Sequence, residues 1–401
     1  MVGEEIMRSL TIKTPSKICL VVMDGLGGLR VEGKTELEAA RTPHLDDLAS
    51  RSICGVADPV SPGITPGSGP GHLGMFGYDP LRYEIGRGVL EALGIGMELG
   101  KQDVVARGNF ATMDQKGIIV DRRAGRIPTE KNKELCALLQ KEIREIEGAR
   151  VEIRHGKEHR FVLRFIAPGL DGRLEDTDPQ KEGKKPRKPA PLVPEAERTS
   201  AIVQDFVKRA DEVLKDHHPA NTVLLRGISQ IPAIPSMAEL FKLTPACIAT
   251  YPMYKGLARL VGMEILETGD AIADEFKTLK ANYERFDYFF LHVKKTDSYG
   301  EDGNFAKKVE VIEELDRHIP VLLELAPDVI AVTGDHSTPA LLKGHSWHPN
   351  PFMLCSRYER VDDVREFSEA ACVKGGLGRF LAVYEMPLML ASALKLEKFG
   401  A

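Results

Sequence analysis

Aspartate and histidine side chains follow three apolar stretches of the sequence, and these residue types bind divalent metal ions without any thiolate. Asp24 directly follows the first stretch, and Asp297 comes shortly after the second. Asp335, His336 and His345 follow the third. For any one aspartate in such a place taken singly, a turn or a helix cap is the better explanation. Their combination with histidine, the commonest metal ligand, predicts a metal site.

Ser68 lies in the segment 65–74, which is rich in glycine and proline. Gly67 and Gly69 have no Cβ atoms, so the serine hydroxyl between them is free to approach a bulky tetrahedral phosphate. A serine hydroxyl is a weak nucleophile near neutral pH and needs a base or a metal ion to become reactive. The predicted metal site would supply that activation, so we expect Ser68 to be the nucleophile of a phosphoryl transfer. The alternative is a solvated serine in a surface turn.

Arginines are concentrated in the middle of the chain. The planar guanidinium binds carboxylate and phosphate oxygens through two parallel hydrogen bonds, so an arginine cluster suits a small, doubly anionic substrate. For any single arginine, a surface ion pair is the alternative. The cluster that directly follows a predicted strand is the stronger candidate. The predicted substrate-binding arginines are Arg107, Arg122, Arg123, Arg126 and Arg226.

The three apolar stretches have the composition of parallel strands that are buried on both faces. They are Ile18–Met23, Tyr288–Val293 and Val329–Thr333. Helical spacing of apolar residues over 305–315 predicts the crossover helix that parallel strands require. Open α/β sheets bind ligands beyond the carboxyl ends of their strands. The three strand ends can therefore meet in one site although they are far apart in the chain.

A second domain is expected in the middle of the chain, where predicted β-hairpins replace the α/β pattern. We place this inserted α+β domain at 103–243 and the metal-binding α/β domain at 1–102 and 244–401. Within the insert, 174–198 is rich in Pro, Lys and Glu and too long for an ordinary connection. We expect this stretch to be mobile, with a functional loop as the alternative. The predicted hairpins pair 105–110 with 118–120 and 151–153 with 161–165.

Composition restricts the functions that are open to this chain. With a formal net charge of -5 and a pI near 6.2, it has no basic excess for neutralising a nucleic-acid backbone. The six cysteines show no paired spacing of the kind found in zinc sites or disulfide scaffolds. No stretch has the about 18 uncharged apolar residues that span a membrane, and the N-terminus has no apolar signal segment. We therefore expect a cytoplasmic protein whose partner is a small molecule, with neither nucleic acid nor membrane involved.

In these motifs the sequence resembles the archaeal type of 2,3-bisphosphoglycerate-independent phosphoglycerate mutase, a member of the alkaline phosphatase superfamily. The resemblance runs over nearly the whole chain, from Val-Met-Asp-Gly at 22–25 to the histidine-rich segment 334–351. It implies an α/β fold with an alkaline-phosphatase-like, mostly parallel sheet flanked by helices, into which a smaller α+β domain is inserted. The other matching segments are 65–80, 107–112, 121–127, 225–227, 251–256 and 295–297.

The resemblance also implies roles for residues near the predicted nucleophile. Ser68 would be phosphorylated, beside a metal ion bound by Asp24, Asp335 and His336 together with Ser68 itself. His72 lies just past Ser68, where the family signature has a histidine, and we group it with the substrate-binding residues. In the same way the arginines named above would clamp the substrate. Lys255 would lie near the phosphate that is transferred.

The second implied metal site is where the sequence departs from the superfamily pattern. The resemblance implies that Asp297 and His345 hold this metal, but Glu301 stands where the superfamily usually has a metal-binding histidine. Glutamate still binds divalent ions, and an oxygen ligand in place of nitrogen favours Mn or Mg over Zn. The expected cofactors are two divalent ions, Mn or Mg before Co or Zn, without 2,3-bisphosphoglycerate.

The implied activity is the interconversion of 3-phosphoglycerate and 2-phosphoglycerate through a phosphoserine, in glycolysis and gluconeogenesis. Such an intermediate must be kept from water, so closure of the two domains over the site is expected. The alternatives are a phosphohydrolase, a homoserine-kinase-like phosphotransferase of the same superfamily, and a binding protein that has lost catalysis. The arginines argue against the hydrolase, because a phosphatase need not hold the alcohol after the first transfer. Glu301 is the one sequence feature that favours lost catalysis.

Overall fold

The computed structural model describes residues 3–400. In chain order the strands are β1 (Ile18–Met23), β2 (Ile53–Asp58), β3 (Val104–Met113), β4 (Ile119–Asp121), β5 (Glu145–Ile146), β6 (Ala149–His155), β7 (Arg160–Ile166), β8 (Thr222–Ser229), β9 (Pro245–Ala249), β10 (Glu264–Ile265), β11 (Tyr288–Val293), β12 (Val329–Thr333), β13 (Asn350–Ser356) and β14 (Gly378–Leu381). The helices are α1 (Glu4–Leu10), α2 (Glu36–Ala39), α3 (Pro43–Ala49), α4 (Ser68–Met75), α5 (Arg87–Gly94), α6 (Thr129–Glu142), α7 (Glu197–Leu214), α8 (Met237–Phe241), α9 (Pro252–Leu260), α10 (Ile272–Asn282), α11 (Lys295–Glu301), α12 (Phe305–Asp316), α13 (Ile319–Leu325), α14 (Glu369–Cys372) and α15 (Glu385–Ser392).

The chain divides into two compact units. The first unit runs to Glu84 and resumes at Ile234, and the second is Ile85–Ala233. The boundaries predicted from the sequence lie later, at 103 and 243. The difference arises because α5 packs on β3 in the second unit, so closely that a Cβ on Gly88 would lie 2.7 Å from the Cα of Ala106. No change in composition marks this helix as part of the inserted domain.

An eight-stranded sheet forms the first unit, in the order β10-β9-β11-β1-β12-β13-β2-β14. Its strands are parallel except for β13, which runs antiparallel to β12 and β2. The three stretches predicted as buried parallel strands are β1, β11 and β12, and every residue in them is buried. Strands covered on both faces are apolar throughout, which explains their composition. The predicted mostly parallel α/β sheet is confirmed.

Strand register brings the three predicted strand ends to one edge of this sheet. β1 lies between β11 and β12, with Met23 opposite Val293 and Val22 opposite Thr333. The residues that follow these strands therefore leave the sheet side by side. The predicted crossover helix is present as α12, whose Val311, Ile312 and Leu315 belong to the core of this unit.

An antiparallel sheet of six strands forms the second unit, with β4, β3, β7, β6 and β5 in that order. β8 also pairs with β3, along the edge opposite to β7. The second predicted hairpin is present as β6–β7, with 151–153 paired to 161–165 as predicted. The pairing predicted for the first hairpin is wrong, because β3 continues to Met113 before the chain turns. β4 pairs with Thr112 and Met113, and 105–110 pairs instead with β7 and β8. Phe161, Leu163 and Phe165 of β7 share a core with α6 and α7, so these helices cover one face. Alternate residues along a strand point to opposite faces, which places Arg160 and Arg164 on the other. None of the helices in residues 3–400 combines the length and apolar character that a membrane crossing requires.

The stretch 174–198, predicted to be mobile, is attached to β8 by several hydrogen bonds. The Thr177 amide donates to the Leu225 carbonyl at 3.0 Å, and the Gly227 amide donates to the Asp176 carboxylate at 2.7 Å. Asp178, next in the chain, is fully buried. The prediction of mobility rested on the Pro, Lys and Glu content of the whole stretch, which gives no sign of these individual anchoring residues.

Candidate active site

The carboxyl edge of the first sheet collects the predicted metal ligands. Asp24 directly follows β1, and Asp297 lies on α11, which begins just after β11. Asp335 and His336 come shortly after β12. The amide of Gly25 donates to Oδ1 of Asp335 at 3.0 Å, which ties the turn after β1 to the turn after β12.

Asp24, Asp335 and His336 form one compact group, and all of them are buried. Nε2 of His336 lies 3.3 Å from Oδ1 of Asp24 and 3.1 Å from Oδ2 of Asp335. Burial alone would lower the pKa of His336, but the two carboxylates outweigh it and raise that pKa to about 9. Oδ1 of Asp24 and Oδ2 of Asp335 have no hydrogen-bond partner. Buried acceptor atoms without partners are costly, so their convergence on one imidazole nitrogen indicates a bound cation.

Thr338 fixes the orientation of His336. The Thr338 hydroxyl donates to Oδ1 of Asp297 at 2.7 Å, so its oxygen accepts from Nδ1 of His336 at 2.9 Å. Nδ1 therefore carries hydrogen, and Nε2 is the nitrogen that faces the carboxylates. A hydrogen bond of this kind on the second nitrogen is typical of metal-binding histidines.

Ser68 is the first residue of α4, and its Oγ lies 3.3 Å from Nε2 of His336. The structure thus brings the predicted nucleophile to the predicted metal ligands. Gly71, one turn later, permits this approach, because a Cβ there would lie 2.3 Å from the carbonyl oxygen of Asp335. The glycine content of this segment therefore has a packing cause as well as a chemical one.

His72 lies behind Asp335 and is completely buried. Its Nδ1 is 2.8 Å from the carbonyl oxygen of Ser68 and 3.2 Å from Oδ2 of Asp335. The sequence predicts that His72 is a substrate-binding residue. Because this side chain has no exposed surface, it is not placed to contact a substrate. Its position beside Asp335 suits a residue that orients this carboxylate.

A second group of candidate ligands consists of Asp297, His336 and His345. Nε2 of His345 lies 3.7 Å from Oδ1 of Asp297, and its ring stacks on that of His336 with 3.7 Å between centroids. Nδ1 of His345 is 2.9 Å from the carbonyl oxygen of Pro66. Glu301 is largely exposed, and its Oε1 comes within 4.0 Å of His345. The structure therefore places Glu301 beside the second predicted metal position.

Two residues of this site were given no role by the sequence analysis. Lys294 directly follows β11, and its ammonium lies 2.9 Å from Oδ2 of Asp24 while it also pairs with Oδ2 of Asp297. The fully buried Tyr254 donates its hydroxyl hydrogen to Oδ2 of Asp24. Burial raises the pKa of Tyr254 well above its ordinary value, so this hydroxyl stays protonated. Their positions in the sequence could have identified both residues as members of the site. Lys294 follows a buried strand, and Tyr254 lies within the matching segment 251–256.

Lys255, which is expected near the transferred phosphate, contacts a glutamate instead. Its ammonium lies 3.3 Å from Oε2 of Glu267, whose side chain is exposed. Within residues 3–400, Lys255 makes no hydrogen bond to Ser68 or to the candidate metal ligands.

Three of the predicted arginines lie close together in the second unit. Arg107 and Arg226 are opposite each other on β3 and β8. Arg122 forms two hydrogen bonds of 2.8 and 2.7 Å to the buried carboxylate of Asp178. The same carboxylate lies 3.6 Å from Nε of Arg226. Glu91 of α5, 3.3 Å from Nε of Arg107, supplies a further negative charge.

Arg123 and Arg126 are exposed in a turn that the Asp121 carboxylate holds. This carboxylate accepts hydrogen bonds from the amides of Arg123 at 2.7 Å and Gly125 at 2.6 Å. Ala124, Gly125 and Arg126 all have positive φ, which is rare for consecutive residues. This backbone keeps both guanidinium groups at the surface and apart from the buried carboxylates.

The residues at the sheet edge fit two divalent ions. They supply carboxylate oxygens and imidazole nitrogens without thiolate, the donor set that suits Mn and Mg and also accommodates Zn or Co. The partnerless oxygens of Asp24 and Asp335 point to one position, and the group of Asp297, His336 and His345 to another. The ammonium of Lys294 between Asp24 and Asp297 shows that this edge attracts positive charge.

Comparison with known proteins points to one family. A family model described as 2,3-bisphosphoglycerate-independent phosphoglycerate mutase matches residues 49–221. The chain is 54% identical over 407 residues to a probable 2,3-bisphosphoglycerate-independent phosphoglycerate mutase of Aquifex aeolicus, covering 99% of this chain and 100% of that one. A protein of Thermus thermophilus with the same description is 53% identical over 401 residues, with 99% of each covered.

Solved structures agree with this assignment. The cofactor-independent phosphoglycerate mutase of Thermoplasma acidophilum superposes with a TM-score of 0.76 at 31% identity, over 94% of this chain and 100% of that one. A protein from Pyrococcus horikoshii superposes with a TM-score of 0.82, also at 31% identity, over 96% of this chain and 100% of that one. The shared architecture extends over both units of the chain.

Proposed function

The chain belongs to the family of 2,3-bisphosphoglycerate-independent phosphoglycerate mutases, and from that premise we propose that Ser68 carries the phosphoryl group during the reaction. The enzyme is an isomerase that interconverts 3-phosphoglycerate and 2-phosphoglycerate. One observation above all supports the role of Ser68. Its Oγ is 3.3 Å from Nε2 of His336, on which the partnerless oxygens of Asp24 and Asp335 also converge.

The proposed metal ligands are the buried residues around Ser68. Asp24, Asp335 and His336 would hold one ion beside the hydroxyl, and Asp297 and His345 a second. When bound there, a divalent ion would lower the pKa of the Ser68 hydroxyl and offset the negative charge of the phosphoryl oxygens. Glu301 is proposed as an oxygen ligand at the second position, which favours Mn or Mg over Zn.

The proposed transfer has two halves that conserve the phosphoryl group. Ser68 Oγ loses its proton and attacks phosphorus in line, the bond to the C3 oxygen breaks, and that oxygen takes up a proton as glycerate forms. The 2-hydroxyl of the same glycerate then loses its proton and attacks the phosphoserine. The bond from phosphorus to Oγ breaks, and the Ser68 hydroxyl regains its proton. Glycerate must stay bound between the two halves.

Retention of glycerate is the role that we propose for the arginines. Arg107, Arg122 and Arg226 have the geometry for it, because Asp178 orients two of them and Glu91 lies beside the third. An oriented guanidinium loses little freedom when it binds a carboxylate or a phosphate. Roles for the exposed Arg123 and Arg126 and for Lys255 are proposed on the family resemblance alone.

Phosphorus NMR tests the proposal on the full-length protein loaded with Mn²⁺. The wild-type enzyme, given 3-phosphoglycerate without 2,3-bisphosphoglycerate, should form 2-phosphoglycerate and little free phosphate. The Ser68→Ala variant should lose at least about a thousandfold in rate, because no residual attack by this oxygen remains. Ser61→Ala, in the same connection between β2 and α4, is the control and should keep full activity. Substantial mutase activity in Ser68→Ala would refute the role of Ser68, and free phosphate as the main product would replace the mutase with a hydrolase.

A further inference from the structure

The two carboxylate oxygens of Asp24 have opposite surroundings. Oδ2 accepts a hydrogen bond from the Tyr254 hydroxyl and lies 2.9 Å from the ammonium of Lys294. Oδ1 is buried without a hydrogen-bond partner and lies 3.3 Å from Nε2 of His336. One oxygen is therefore held by the protein, and the other is left available for a ligand.

The ring of Tyr254 has little freedom to move. It lies in a completely buried position on α9, against two other buried rings that also contact each other. Its centroid is 4.7 Å from that of His72, with 29° between the ring planes, and 3.9 Å from that of His292, with 34°. Close packing of this kind fixes the direction of the hydroxyl.

We propose that Tyr254 is a positioning residue, whose hydroxyl fixes Asp24 so that Oδ1 alone is presented to the metal ion beside Ser68. The inference rests on the proposed function, because it assigns a cause to the orientation of a proposed ligand. Hydrogen bonds from neighbouring side chains orient metal ligands, and their loss typically costs about 10–100-fold in metal affinity. The neutral phenol is suited to this task, since it does not repel a cation.

Lys294 cannot replace Tyr254 in this role. Its ammonium also contacts Oδ2 of Asp24, but it is shared with Asp297, and its side chain is 18% exposed. A bound divalent ion would repel this positive charge, whereas it leaves the hydrogen bond from Tyr254 unaffected. Only the phenol therefore provides an orientation that persists when a metal ion binds.

Calorimetric titration of Mn²⁺ into the metal-free, full-length protein without substrate tests the inference. Tyr254→Phe removes one oxygen atom and keeps the ring packing, and we expect it to weaken one of two binding events by about 10–100-fold. The matched control is Tyr251→Phe, which removes a hydroxyl from a 41% exposed tyrosine at the start of the same helix. It should bind Mn²⁺ as the wild type does. Equal Mn²⁺ affinities for Tyr254→Phe and wild type would overturn the inference.

A second readout separates positioning from a general loss of structure. The Mn²⁺ concentration that gives half-maximal mutase activity should rise in Tyr254→Phe by a larger factor than the one by which kcat at saturating Mn²⁺ falls. A variant with normal metal dependence and a reduced kcat would contradict the positioning role.

Asp24→Asn distinguishes failure of this inference from failure of the proposed function. If Asp24→Asn loses a binding event and Tyr254→Phe does not, the metal site stands and only the role of Tyr254 is refuted. If Asp24→Asn binds Mn²⁺ like the wild type, the metal site of the proposed function is itself wrong.

Discussion

Lys308 holds together the two turns that present the metal ligands, and its replacement should be severely destabilising. It lies on α12 with no exposed surface, and its ammonium donates to the carbonyls of Gly25 and Thr338, both at 2.9 Å. Gly25 directly follows Asp24, and Thr338 lies in the turn that contains His336. Glu36, also completely buried, is 3.9 Å from the ammonium and is its counter-charge.

The expected magnitude follows from these contacts. Lys308→Met removes the ammonium but keeps a long, unbranched side chain with similar helix propensity. Three hydrogen bonds from a charged donor are lost, including a longer one of 3.4 Å to the Gly27 carbonyl, and Glu36 is left as a buried charge without its partner. Breaking a buried ion pair from one side costs about 3–5 kcal/mol, so we expect the free energy of unfolding to fall by that amount. Burial lowers the pKa of Lys308, which is the sign of a charge that depends on its partners.

Urea unfolding measures this effect in the first unit, because Trp347 is the only tryptophan and lies in that unit. The control is Lys307→Met, one residue earlier on α12, whose side chain is 50% exposed and pairs with Glu310. An exposed pair of this kind contributes at most about 1 kcal/mol. The double variant Lys308→Met/Glu36→Gln should recover about 0.5–3 kcal/mol, because neutral glutamine needs no counter-charge. A loss of less than about 1 kcal/mol in Lys308→Met would refute the reasoning.

Two further predictions concern other buried carboxylates. Asp178→Asn keeps one acceptor for Arg122 but loses the charge, so KM for 3-phosphoglycerate should rise about tenfold, equivalent to about 1.4 kcal/mol, with a smaller change in kcat. Asp171→Asn, whose partner Arg173 is exposed, is the control, and an unchanged KM in Asp178→Asn would contradict the orienting role. Burial raises the pKa of Glu275 to about 9, so its stabilising contribution is complete below about pH 4 and is lost as pH rises toward 9. The Tm of the wild type should therefore fall between about pH 5 and 8 more steeply than that of Glu275→Gln, and parallel Tm curves would exclude this assignment.

The strand ends could be predicted from the sequence because a single physical cause determines them. A parallel strand buried on both faces is apolar throughout, so β1, β11 and β12 are recognisable without an alignment. The strands of such a sheet end at a common edge, which places Asp24, Asp297 and Asp335 together. For Ser68 the sequence signal was its glycine-rich segment, in which Gly71 allows a close approach to the backbone of Asp335.

The supporting residues were not predictable in this way. Lys308 and Glu36 have charged side chains on helices, a pattern that normally indicates a solvated face, and only packing against distant turns makes them buried partners. Tyr254 is separated from Asp24 by most of the chain, so no local pattern connects the two. In the same way, the composition of 174–198 suggested mobility, because the average over a long stretch conceals the anchoring of Asp178.

Partnerless buried carboxylates do not by themselves identify a functional site in this protein. Both oxygens of Glu385 are buried without hydrogen bonds, as is Oε2 of Glu275, and in each case burial raises the pKa of the carboxyl. Such a group can avoid the cost of buried charge by keeping its proton. Asp24 differs, because its pKa is held well below the ordinary value by His336 and Lys294 in spite of burial. A carboxylate that stays ionised, with one oxygen held by Tyr254 and the other facing a histidine nitrogen, has the protonation state and the direction that a metal ligand requires.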